Sequence, residues 1–272
     1  MSVTKLLSRI VSPDSITLDD LGFEAESSAA ATKLHHHTFG ITSDPLIQFA
    51  CAFSALIHDV DHPGVPNAQM VKEGLEICDL YNNKSVAEQN SVDLAWELLM
   101  EPEFAKLRQC IYTNQEELDR FRSLVVNSVM ATDIADKELG AARRARWAKA
   151  FDENRLNEEK DLAGNRIATV ERQDIHRKAT IVIEHIIQGK SFAVLVAGDE
   201  HFLVLIGHSL LPFLALIASD ISHTMQHWHI YLKWNEKFFV ECYNAYKEGR
   251  AETNPLDGWY KGEMGFYDFY IM

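Results

Sequence analysis

The chain has no Cys-x-x-Cys pair, no apolar core near its N-terminus and almost no strand-like alternation of apolar and polar residues. Its four cysteines (Cys51, Cys78, Cys110 and Cys242) are scattered. Cys51 lies within an apolar run, which points to buried free thiols in a reducing compartment. The opening MSVTKLLSRIVSPDS is too polar for a signal peptide. The expected location is therefore cytoplasmic, either as a free protein or as part of a membrane-anchored parent. Positive charge is also scarce: 26 Lys and Arg stand against 40 Asp and Glu, a formal net charge of -14. That balance argues against a nucleic-acid polymer or an anionic membrane surface as partner. An anionic substrate would need local cations, most simply bound metals.

What is present is ordinary for a globular protein. Of 272 residues, 47% are hydrophobic and 24% are charged, enough for one large domain or two small ones. Helical periodicity dominates. Val3, Leu6, Leu7 and Ile10 make one stripe over residues 1–11, and residues 12–43 read as a polar surface loop. Asp44 can cap a helix over 46–57 with Pro45 at its first position. Further helices are predicted at 84–100, 115–131, 134–151, 172–187 and 222–248, the last stopped by Gly249. The fold class predicted is all-α.

Residues 189–218 break this rhythm, being far more apolar than their surroundings. A membrane span, a buried hairpin and an insertion foreign to the domain all fit. The 17 residues of 202–218 are at the short limit for a span and contain His208 and Pro212. The insertion is favoured, because the flanking residues 181–188 and 219–228 read as one continuous unit. Gly189-Lys190-Ser191 resembles the end of a phosphate-binding loop, but Glu184 stands where that motif needs a glycine.

The strongest chemical signal is HDVDHPG at 58–64, directly behind the apolar helix. Imidazole and carboxylate in adjacent positions suit Zn²⁺ or a similar divalent ion, and a carboxylate can bridge two ions. The structural alternative is a helix C-terminus with His at the negative dipole end and Pro-Gly as the stop. Asp220 could complete a metal site or simply cap the following helix. Glu88 and the Ala131-Thr132-Asp133 stretch offer further polar groups. His35, His36 and His37 are adjacent in a loop and read as surface residues. The spacing His58-Asp59-x-x-His62 also invites comparison with the zinc-protease His-Glu-x-x-His helix, but Pro63-Gly64 would end that helix too soon.

Taken together, IHDVDHPGVPN, YNNKSVAEQN, VMATD, SDISHTMQHW and GFYDFYI resemble the catalytic domain of class I 3′,5′-cyclic nucleotide phosphodiesterases, of the HD superfamily. The resemblance implies a compact all-α domain over 1–272, interrupted by the apolar insertion at about 189–218. It implies hydrolysis of cGMP or cAMP to the 5′-nucleotide by metal-activated hydroxide, in signal transduction. It makes His58, Asp59 and Asp220 ligands of Zn²⁺, with Asp59 shared with a second ion, Mg²⁺ or Mn²⁺. His62 matches a residue behind the ligands, and Glu88 and Thr132 match groups around the second ion's water. Phe266 matches the aromatic that stacks on the purine. A homodimer or a place in a larger signalling protein is compatible with it.

The chain also departs from the family. A His-Asn-x-x-His segment, whose first His is the general acid and whose second is a zinc ligand, is expected before HDVDHPG and is absent from 1–57. Residues 1–11 resemble the helix that follows that segment, and Ile271-Met272 stop inside an expected helix. The expectation is thus a domain truncated at both ends, from a fragment or incomplete gene model, with impaired activity. The alternative is a catalytically dead remnant that binds nucleotide or partner helices. Glu263 stands where the family has a Gln that reads the purine edge. A carboxylate only accepts hydrogen bonds, which predicts a lean towards cGMP.

Overall fold

Asp44 caps α1 (Pro45–Ile57), the first helix whose full span lies among the described residues. Its backbone is extended, and its carboxylate accepts from the Leu46 N–H at 2.9 Å and the Ile47 N–H at 3.4 Å. Pro45 fills the first turn, where a missing N–H leaves no bond unmade. Ile47, Ala50, Cys51, Ser54 and Ile57 then share one buried face, the three-and-four spacing of an amphipathic helix.

This is a computed structural model, and it describes residues 35, 39–41, 43–151, 168–187 and 227–270. After α1 come α2 (Asn67–Glu73), α3 (Glu76–Leu80), α4 (Val86–Met100), α5 (Ala105–Ile111), α6 (Gln115–Met130), α7 (Lys137–Ala150), α8 (Ala168–Ile187), α9 (Trp228–Lys247) and α10 (Trp259–Tyr270). Single 3₁₀ turns at Pro102–Phe104 and Pro255–Asp257 join them. No strand occurs among the described residues, so the fold is all-α. The helix read at 46–57 and the five further helices read from periodicity are present with shifted ends, whereas α10 was not among those read. The short α2, α3 and α5 were not read, because five to seven residues hold too few apolar positions to display a period. Gly249 (φ +76°) follows α9, and the Arg250 N–H reaches back to the Ala245 carbonyl at 2.8 Å, which closes the helix end. The predicted helix at 1–11 and the apolar stretch 189–218 lie outside the described residues. Among the described residues no helix is long and apolar enough to cross a membrane.

The main core sits where α6 crosses α1, α4 and α8. Phe121 of α6 is fully buried, with ring centres 5.7 Å from Phe53, 5.9 Å from Phe49, 5.9 Å from Trp96 and 6.4 Å from Tyr112. Such a ring contributes about 2–3 kcal/mol through burial. The buried Cys51 thiol in the same core is pushed up to about 12 by desolvation, which leaves it inert. A second, smaller core gathers Val65, Met70, Cys78, Tyr81, Val86 and Ala87, with Ala245 of α9 against it. It lies under the loop that follows α1, and so supports whatever that loop carries. All four cysteines are free thiols.

Candidate functional site

α1 ends at Ile57, and His58 is its cap, still in helical conformation. The His58 ring stays largely buried (side chain 12% exposed), with Nδ1 3.1 Å from the Ala55 carbonyl oxygen. Nε2 is itself buried and lies 3.2 Å from Asp59 Oδ2. The Asp59 side chain is 66% exposed, so the carboxylate faces solvent while the imidazole beside it stays buried. The hydrogen bond from His58 holds the Asp59 carboxyl below its ordinary value, against partial desolvation, and His62 adds a smaller pull in the same direction.

The chain turns sharply after this pair. Asp61 (φ +60°) and Gly64 (φ +73°) are both left-handed, and the Gly64 N–H donates to His62 Nδ1 at 3.1 Å. A Cβ at Gly64 would lie 2.3 Å from Glu241 Oε1 of α9, so the glycine permits both the backbone conformation and the close approach. α4 fastens the loop from the other side. Ser91 Oγ donates to the Val60 carbonyl at 2.6 Å, and Asn90 Nδ2 donates to Asp61 Oδ2 at 3.2 Å.

Glu88 lies in the first turn of α4, half-buried, and accepts from Asn67 Nδ2 at 2.9 Å. Burial raises its carboxyl above the ordinary value, and the nearby Asp133 adds to this; the Asn67 bond and His62 oppose it. Asp133 is buried, with Oδ2 accepting from Ser85 Oγ at 2.6 Å and Oδ1 from the Ala135 and Asp136 N–H groups at 3.2 Å each. Ser85 itself is left-handed (φ +41°), as are Asn82 and Asn83 just before it. Several strained residues in one short turn need their surroundings to hold them, and such strain concentrates at functional sites. In the sequence Asp133 stands out only as part of the Ala131-Thr132-Asp133 stretch. The signal that finds it is a buried carboxylate answered by a hydroxyl, an amide and two backbone N–H groups.

The other predicted residues are placed as follows. Thr132 is half-buried at the end of α6, with its hydroxyl donating to the Val129 carbonyl at 2.7 Å. Glu263 lies on α10, where its Oε2 accepts from the Tyr231 hydroxyl and from Asn235 Nδ2, the latter at 2.7 Å. Trp259 Nε1 donates to Asn235 Oδ1 at 3.1 Å, which fixes the amide so that its NH₂ faces Glu263. Phe266 belongs to α10 by its backbone. Asp220 lies outside the described residues. A cavity of about 830 Å³ joins the two regions, with Gly64 and Pro66 on one side and Phe238, Cys242, Trp259 and Glu263 on the other. Its wall reaches the post-α1 loop at Gly64 rather than at His58 or Asp59.

A ring nitrogen and a carboxylate oxygen converging at the end of α1 are the donor types that Zn²⁺ takes. They make two ligands rather than a whole site. Among the described residues no three His, Cys, Asp or Glu side chains converge on one point.

Residues 28–272 match the family model described as 3′5′-cyclic nucleotide phosphodiesterase. The chain is 30% identical over 138 residues to the human cGMP-inhibited 3′,5′-cyclic phosphodiesterase 3A, covering 44% of this chain and 12% of that one. It is 36% identical over 87 residues to the mouse dual specificity calcium/calmodulin-dependent 3′,5′-cyclic nucleotide phosphodiesterase 1C, covering 32% of this chain and 12% of that one. The chain thus spans only a small part of the length of these curated relatives. The crystal structure of the phosphodiesterase domain of Salpingoeca rosetta rhodopsin phosphodiesterase superposes with a TM-score of 0.37 at 22% identity, over 70% of this chain and 55% of that one.

Proposed function

The chain belongs to the 3′5′-cyclic nucleotide phosphodiesterase family, and from that membership we propose that it hydrolyses a 3′,5′-cyclic nucleotide to the 5′-nucleotide. The observation that supports this most directly is the His58–Asp59 pair at 3.2 Å on the rim of a loop held by α4 and α9. His58 and Asp59 would hold Zn²⁺ with Asp220, and Asp59 would share a second ion, Mg²⁺ or Mn²⁺. When bound, such ions lower the pKa of a water and offset the charge of the phosphate. That also reconciles an acidic protein with an anionic substrate.

The chain's own groups would do the rest. Asp59, held ionised by His58, is ready to ligate at neutral pH. Glu88, His62 and Thr132 would order the water around the second ion. Glu263 would read the base at the far end of the cavity, and Phe266 would stack on it. Glu263 can only accept, and Tyr231 and Asn235 already hold one of its oxygens. Guanine presents N1–H and N2–H₂ donors side by side to such an acceptor, whereas adenine presents a repelling N1 lone pair. The base favoured is therefore guanine.

A second reading rests on a specific observation: none of the twelve histidines begins a His-Asn-x-x-His segment. If no group protonates the leaving 3′-oxygen, turnover is about 10²–10⁴ slower. On this reading the chain binds nucleotide with little or no turnover.

Metal content after dialysis, followed by cGMP and cAMP hydrolysis with and without Asp59→Ala, tests both. About one zinc per chain, lost in Asp59→Ala together with hydrolysis, is the result expected of the enzyme. Hydrolysis that survives Asp59→Ala would sink the metal assignment, and a higher kcat/KM for cAMP would sink the guanine preference. Zinc without turnover would favour the binding protein.

A further inference from the structure

The side chain of Asn67 joins three separate stretches of chain. Its Oδ1 accepts from the Ala87 N–H at 2.9 Å, and its Nδ2 donates to Glu88 Oε2 at 2.9 Å and to Asp133 Oδ2 at 3.4 Å. The orientation of the amide follows from its partners, because only an NH₂ can face two carboxylates and only a carbonyl can face an N–H. Asn67 opens α2 directly behind the HDVDHPG loop, while Glu88 opens α4 and Asp133 follows α6.

The neighbours of Asn67 explain why one amide is needed there. Glu88 and Asp133 are two carboxyls buried at least in part, and among the described residues the donor they share is the Asn67 amide. Asp133 has its other bonds satisfied by Ser85 and two backbone N–H groups, and so serves as a fixed wall. The Asn67 amide is the side-chain donor that the structure gives Glu88. Asn67 does not cap α2: Pro66 occupies the cap position, and no side chain bonds the first turn. An asparagine engaged this way is not explained by starting a helix.

We infer that Asn67 is a positioning residue, whose carboxamide sets the orientation of the Glu88 carboxylate towards the loop carrying His58, Asp59 and His62. This rests on the proposed phosphodiesterase reading for its use, but the geometry it describes needs no metal. Asn67 acts through Glu88, the carboxylate its amide holds.

The test uses the whole chain. Asn67→Asp keeps the oxygen that accepts from Ala87 and replaces only the donor, setting a third carboxylate against two. Melting temperature should fall by about 5 °C, from a lost charge-assisted bond and the added repulsion. The Mn²⁺ dissociation constant, read by electron paramagnetic resonance, should rise by about tenfold or more, as for other residues behind metal ligands. Adding Glu88→Gln to Asn67→Asp lets an amide at 88 donate to the carboxylate at 67. The double variant should regain melting temperature lost by Asn67→Asp, while Mn²⁺ affinity stays low. Full retention of both properties in Asn67→Asp would overturn the inference. So would a loss of melting temperature that Glu88→Gln does not relieve, since that marks a purely local role. If the unaltered protein binds no Mn²⁺, the two-ion reading fails, and recovery of melting temperature in the double variant still decides the role of Asn67.

Discussion

The two sides of α1 are built on different physics. Its buried face joins Phe121 and its aromatic neighbours in a core held by apolar area, which is strong in sum and indifferent to small rotations of any one group. Its C-terminal end opens onto a cluster held by single hydrogen bonds, left-handed residues and a close glycine. There each bond has a direction, and a loss at one position is not absorbed by neighbours. The contrast suggests a division of labour: the apolar body supplies stability, and the loop cluster consumes some of it to hold charged groups in place.

The sharpest way to break that contrast is at its apolar pole. Phe121→Ala should cost about 3–5 kcal/mol, read from the urea unfolding midpoint. A cost no larger than that of an exposed aromatic would show that the core is not centred there. At the polar pole, Asp133→Ala leaves Ser85 and two backbone N–H groups without their acceptor. It should cost about 2 kcal/mol and weaken Mn²⁺ binding, whereas Phe121→Ala should spare the metal affinity of the folded fraction. Equal effects on binding from the two changes would erase the distinction.

A smaller effect probes the exception within the apolar body. Glu184 of α8 is fully buried in it, with Arg146 Nη2 2.9 and 3.1 Å from its two oxygens. Burial raises its carboxyl to about 7, against the pull of Arg146 and Arg143. In the unfolded chain it titrates near its ordinary value of 4.5. Between those limits the native state holds a proton that the unfolded state has released, so stability falls as pH rises through that window. Melting temperature measured across it should decline, and the decline should be weaker in Glu184→Gln. A melting temperature that climbs more steeply in the unaltered protein than in Glu184→Gln would reverse the sign and show that the arginines dominate.

Much of this was legible in the residues. Asp44 and Pro45 announce α1, and its apolar spacing states which face is buried, because helix capping and periodicity are local properties. The HDVDHPG motif marked the loop for the same reason. Asn67 and Asp133 could not be found that way: they lie 66 residues apart and meet at 3.4 Å only after α2, α4 and α6 have packed. Asn235 is similar, since its role beside Glu263 depends on Trp259 turning its amide. The short α2, α3 and α5 escaped because tertiary contacts, not period, make them helical.

By itself, then, the sequence determined an all-α chain, its principal helices and the presence of a His-Asp pair behind an apolar helix. Each follows from neighbours a few residues apart. Tertiary structure alone decided that Glu88 and Asp133 share a donor and that α9 closes on Gly64. These are outcomes of packing between distant segments, where a hydrogen bond's direction is set by both partners at once.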